Sequence, residues 1–200
     1  MITSRSFYKS LIKIPNAQDT APNSKLLGNG NLLDFFIEEH EPEVLIDCFG
    51  YSLYEEFLSQ FDENYKLKDN VDQKWKDLLN GKEYQLEGKK AKWRGLIFKE
   101  KDLDRSLIAY YVFCEFLNKD QSSYNGTGTQ KEKTKNTTPV SSDPLYVASF
   151  RKFHKLTEFS NSNNGLRSLY DFIQDMNNAN PNTYPNWCPE RFENINTWGV

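Results

Sequence analysis

Apolar residues recur along this chain mostly at the three- and four-residue steps of helices. Leu32, Phe35 and Phe36, then Leu45 and Phe49, mark a helical segment beginning at Leu32. Pro42 interrupts it, and Glu41-Pro42 reads as a helix restart with proline in the first turn. Gly50 marks a break, after which YSLYEEFLSQF sets Leu53, Tyr54, Phe57, Leu58 and Phe61 on one face of a second amphipathic helix. A short helix around Asp72 to Leu79 is closed by Asn80-Gly81. The most apolar segment, LDRSLIAYYVFCEFL at 103–117, predicts a central helix wrapped by the others. Leu145, Phe150, Phe153 and Leu156 predict a helix from Pro144, NSNNG breaks it, and LRSLYDFIQDM forms a last amphipathic helix.

The two-residue period appears once, in KEYQ-LEGK-KAKW. It alternates about Glu87-Gly88 with Tyr84, Leu86, Ala91 and Trp93 on an inner face, and so predicts a β-hairpin at about 82–94. The predicted fold is mainly α: a helical bundle with a small β-hairpin, a long polar loop and an extended C-terminal tail. Its parts are a turn-rich N-terminal leader (1–30), a helical core with the hairpin (31–119), a flexible polar loop (120–143), C-terminal helices (144–178) and the tail (179–200). The loop is too poor in hydrophobes to pack on its own. The tail holds three prolines and two tryptophans, which favour extended backbone.

Composition adjusts this picture little. At 200 residues the chain fits one domain, and 14 Phe, 11 Tyr and 4 Trp compensate for a hydrophobic content of 38%. A net charge of −3 gives no global pull toward nucleic acid or membranes, and no run approaches a membrane span. The N-terminus does not read as a signal peptide, and three widely spaced cysteines suit a reducing cytosol. Without a secretion signal the Asn136-Thr137-Thr138 sequon is a chance match.

The distribution of charge is more informative. From Asn31 to Tyr65 there are ten acidic residues, Glu38, Glu39, Glu55 and Glu56 among them, and no Lys or Arg. From Lys66 to Lys101 there are eleven basic residues against six acidic. Acidic helices and a basic hairpin on one molecule are what a head-to-tail contact between identical subunits uses, and equally what two separate solvated surfaces look like.

Candidate chemistry is sparse. His40 and His154 lack a second ligand at metal spacing and read as surface or boundary residues, so no metal or cofactor is expected. Cys48 and Cys114 read as buried small hydrophobes, and Cys188 has no identifiable base. The adjacent carboxylates Glu38-Glu39, Glu55-Glu56 and Asp102-Asp104 read as solvated faces, and Gly28-Asn-Gly-Asn lacks the lysine of a phosphate loop. The chain is therefore not expected to be an enzyme. Lys89, Lys90, Lys92 and Arg94, with Tyr84 and Trp93, form the pattern of a single-strand binder. Alternation, however, puts the rings on the face opposite Lys90, Lys92 and Arg94, as in any half-buried hairpin.

The order of features resembles a known family. An acidic helix leads to Phe49-Gly50-Tyr-Ser-Leu-Tyr54-Glu-Glu-Phe57, then Lys74-Trp75-Lys-Asp-Leu-Leu79, Gly81-Lys-Glu-Tyr84 and Gly88 to Trp93-Arg-Gly95-Leu. An apolar helix, a polar loop and Tyr184-Pro-Asn-Trp187 follow. This is similar to the head–tail connector, or adaptor, proteins of tailed bacteriophages, especially those of Bacteroidetes including crAss-like phages, from about Leu32 to Trp187. The resemblance implies a helical subunit of a dodecameric ring beneath the portal protein, extending the DNA channel and offering a platform to further connector or tail proteins. It implies assembly in the host cytoplasm, a place in the virion at the head–tail junction, and no active site or membrane contact. The loop at 120–143 departs from a compact bundle and is assigned to the portal, the next ring or the lumen. On this reading the basic hairpin (Lys89, Lys90, Lys92, Arg94) meets a neighbour's acidic helices (Glu38, Glu39, Glu55, Glu56). Trp187 and Trp198 either anchor the tail across a neighbour or fold it back onto its own core. A nucleic-acid-binding module using the hairpin, or a monomeric adaptor, are the other classes.

Overall fold

The computed structural model describes residues 1–8, 10–14, 17, 29–100, 103–120, 123–125, 128–130, 143–158 and 165–192. Among them are six α-helices and seven short strands, so helix dominates but the fold is mixed rather than a helical bundle carrying one hairpin. None of these helices is long and apolar enough to cross a membrane.

Helix α1 (Asn29–Phe49) runs unbroken through Pro42, where a restart is expected from sequence. Its buried residues explain this: Leu33, Phe36, Ile37, Val44, Leu45 and Cys48 keep one helical phase on both sides of the proline. An interior proline costs about 3 kcal/mol, and each buried side chain on that stripe returns roughly 1.5–3 kcal/mol. Packing therefore outweighs the lost backbone bond. The turn is also held from outside, since the Met1 ammonium donates to Glu41 Oε1 at 2.7 Å and the Ile2 N–H to Oε2 at 2.9 Å. The N-terminal segment is accordingly no mere leader: Ile2, Phe7, Ile12 and Ile14 belong to the core.

Helix α2 (Tyr51–Leu58) follows Gly50, and α3 (Gln73–Asn80) packs beneath it through Phe57 and Trp75. The hairpin falls where the alternation puts it, as β1 (Lys82–Leu86) and β2 (Lys89–Trp93), with Tyr84 opposite Ala91. A third strand, β7 (Leu166–Arg167), pairs parallel with β2 where the sequence reading begins the last helix, which starts only at Leu169. Another correction concerns 103–117. Its first residues form β4 (Leu103–Ser106), paired with β3 (Ile97–Glu100), and helix α4 (Leu107–Asp120) starts only afterwards. Ser106 marks the boundary, its Oγ accepting the Ile108 N–H at 3.1 Å as a helix cap. From there α4 is the central helix that its composition predicts, with Ile108, Ala109, Val112, Phe113 and Cys114 buried.

In the expected polar loop, β5 (Ser123–Asn125) and β6 (Gly128–Gln130) pair as a small hairpin, and 131–142 lie outside the described residues. Helix α5 (Asp143–Thr157) packs along α4, and α6 (Leu169–Ala179) is capped by Ser168, whose Oγ accepts the Asp171 N–H at 3.2 Å. His154 in α5 is buried, not at the surface. Its Nε2 lies 3.2 Å from the Phe192 carbonyl and 3.8 Å from Glu158.

The described part of the tail, up to Phe192, folds back on its own core. The last carbonyls of α1 would be orphaned at the Gly50 break. Gly50 N–H takes Ile46 O at 2.7 Å, Glu190 N–H takes Asp47 O at 2.7 Å, Trp187 Nε1–H takes Cys48 O at 3.1 Å and Cys188 N–H takes Phe49 O at 3.0 Å. Tyr184, 1% exposed, pins the same strap to α3 and α6, donating to Lys74 O at 2.7 Å and receiving Asn177 Nδ2 at 3.0 Å.

Gly50 has φ +78°, and a Cβ there would meet Cys188 O at 2.7 Å. Gly50→Ala is therefore expected to cost about 2 kcal/mol or more in urea unfolding and to speed proteolysis within 184–192. A loss below about 0.5 kcal/mol would contradict the tight strap. Asp47, half-buried at the acceptor end of α1, has its carboxyl pKa raised by burial first and by Glu190 and Glu43 next. A carboxyl raised in the folded state contributes stability below its ordinary range and loses it as pH rises through the raised value. Asp47→Asn should then raise the melting temperature at neutral pH, with a gain that shrinks in acid; equal gains at both pH values would refute this.

Candidate interaction surface

The basic hairpin is held in place by what lies beneath it. Gly81, with φ +95°, and Gly95 let the end of α3 and the end of β2 touch backbone to backbone, since a Cβ on Gly81 would sit 2.5 Å from Arg94 C. Trp93, 2% exposed, donates Nε1–H to Leu78 O at 3.0 Å and stacks on Phe172 at 5.7 Å. Tyr84 donates to Asp175 Oδ2 at 2.6 Å, and Arg167 in β7 reaches the same carboxylate at 2.8 Å. The two rings that would stack on bases are thus committed to the interior.

The outward face is cationic. Lys89, Lys90 and Lys92 are exposed, with Lys92 bonded to Glu83 at 2.6 Å, which draws the Glu83 carboxyl below its ordinary range. Arg94 is half-buried, its guanidinium 5.4 Å over the Phe98 ring. Lys92, Arg94, Phe98 and Lys99 line one open cleft of about 520 Å³.

The acidic residues lie on α1 and α2. Glu38, Glu39 and Glu55 are exposed, whereas Glu56 is half-buried and accepts the Asn186 side-chain amide of the tail. A groove of about 630 Å³ lies between α1, α2 and the N-terminal segment, with Asp34, Glu38, Leu58 and Tyr65 among its lining residues. Two positions expected on inner faces turn outward: Phe35 is 62% exposed, and Leu58, where α2 ends, 40%. Of the two alternatives for Trp187, the structure shows the fold-back: it packs half-buried against Tyr170 and caps α1 within its own chain. Trp198 lies outside the described residues.

Sequence reasoning counted Asp34 in the acidic segment and singled out the hairpin cations, but did not pick out Phe98, Lys99 or Tyr65 as surface candidates. Among the described residues no group of three or more His, Cys, Asp or Glu is placed to hold a metal. Cys48 and Cys114 are buried, and burial pushes both thiols well up, away from the reactive thiolate. No protein-family profile matches the chain, and neither does any curated protein or solved structure.

The Tyr84–Asp175–Arg167 cluster generates a graded expectation. Asp175→Ala removes the closer carboxylate of a half-buried guanidinium, leaves it Asp171 at 3.9 Å, and should cost about 2–3 kcal/mol, whereas Tyr84→Phe removes one hydrogen bond and should cost about 1 kcal/mol. Chemical denaturation of both variants checks the order, and a Tyr84→Phe loss equal to that of Asp175→Ala would show that the ion pair carries none of the stability.

Proposed function

We propose that this chain is a structural subunit of the head–tail connector class. On this reading several copies assemble into a ring between portal and tail and extend the channel through which DNA passes. The observation that carries the reading is the partition of the exposed surface. Carboxylates of α1 stand around an apolar groove walled by α2, and the cations Lys92, Arg94 and Lys99 stand around a half-buried ring. Surfaces of opposite charge on one body favour heterologous, head-to-tail contacts, the geometry from which rings close. The motif order from Leu32 to Trp187 supports the same class. The other reading, a nucleic-acid-binding module, has in its favour the cationic cleft of Lys92, Arg94 and Lys99, but its stacking would fall to Phe98 alone rather than to Tyr84 and Trp93.

Native mass spectrometry over rising concentration, with and without DNA, separates the two. The connector reading expects one discrete large oligomer without DNA, weakened by Lys90→Glu with Lys92→Glu. A monomer that captures DNA, with affinity falling steeply in salt, would replace it by the binding module.

A further inference from the structure

The groove between α1, α2 and the N-terminal segment combines features that together select a partner. Ile37, Leu45 and Phe57 give it buried apolar walls, while Leu58 and Tyr65, 40% and 68% exposed, leave large apolar side chains in water at its edge. An apolar patch of this kind on a soluble body marks a contact surface. Its charged side chains are all acidic, Asp34, Glu38 and Glu41, with the Met1 ammonium as the one positive group among the lining residues. Glu41 is occupied by the Met1 ammonium and the Ile2 N–H, so Asp34 and Glu38, both exposed, are the carboxylates that face outward. The complement of such a groove is an apolar side chain carried between cations. The chain presents that complement itself at the β2–β3 corner: Phe98 lies half-buried under Arg94, with Lys99 beside it in the same cleft. Lys92 is engaged by Glu83, which leaves Arg94 and Lys99 to supply the charge.

We propose that this groove receives the β2–β3 corner of a second copy, with Phe98 entering between Leu58 and Tyr65 while Arg94 and Lys99 meet Asp34 and Glu38. Groove and corner are different patches, so each subunit gives one and receives one, and the contact repeats from copy to copy. The inference rests on the self-assembling reading above and specifies which surfaces pair.

The test uses the full chain and two charge-reversed variants, Asp34→Lys with Glu38→Lys, and Arg94→Glu with Lys99→Glu, each checked for wild-type circular dichroism. Alone, each variant opposes like charges at every contact and should associate at least about tenfold more weakly than wild type in sedimentation velocity. Mixed in equal amounts they should assemble again in strict alternation, because every groove then meets a corner of opposite sign. Leu58→Ser, at an exposed position, should weaken assembly without touching charge. If wild type assembles but the variants assemble equally well, or their mixture fails to recover, the groove assignment falls while self-assembly stands. If wild type remains monomeric at every concentration, the pairing and the self-assembly both fall.

Discussion

The end of α1 is the point on which the rest of this structure depends. A helix that stops at a glycine leaves its last carbonyls without partners, and in a core that omission is costly. Here the partners come from about 140 residues further along the chain, through Trp187, Cys188 and Glu190. The strap that delivers them also binds α3 and α6 through Tyr184 and α5 through Phe192, whose N–H donates to Glu158 at 2.7 Å. One set of backbone bonds thereby ties together helices from both ends of the chain. Up to Phe192, the tail is a structural closure of its own fold.

A second tie holds the sheet to the helices. Tyr84 of β1, Arg167 of β7 and Asp175 of α6 share one carboxylate, and Trp93 joins β2 to α3 and α6. With the inner face of the hairpin committed in this way, its outer face is free to be cationic without cost to packing. The same separation operates at α1, where the buried stripe from Leu33 to Cys48 leaves the carboxylates of Asp34, Glu38 and Glu39 to solvent. The surface thus carries its charge on elements whose opposite faces are fixed in the core, and that anchoring, more than any single residue, links the fold to the proposed role in assembly.

Much of this was legible in the chain itself. Periodicity placed α2, α3, the β1–β2 hairpin, the central α4 and the two C-terminal helices, because each buries one face and its apolar spacing records which. The charge division was visible by counting. Burial of Cys48 and Cys114 followed from their place on apolar faces. What the sequence could not decide depended on competition between distant segments. Pro42 should stop a helix on local grounds, and only the core on both sides of it makes continuation cheaper. Leu103 to Ser106 read as helix because apolar content alone does not distinguish a strand from a helical turn, and pairing with β3 settles the matter. Strand β7 is only two residues long, too short to leave any periodic trace. Whether Trp187 reached a neighbour or its own core was open in the sequence, and the orphaned Cys48 carbonyl gives it an intramolecular partner. Local pattern determined which segments form elements and which faces they bury. Tertiary structure decided where those elements end and which surfaces stay open, because unsatisfied backbone groups are paired only once the whole chain has come together.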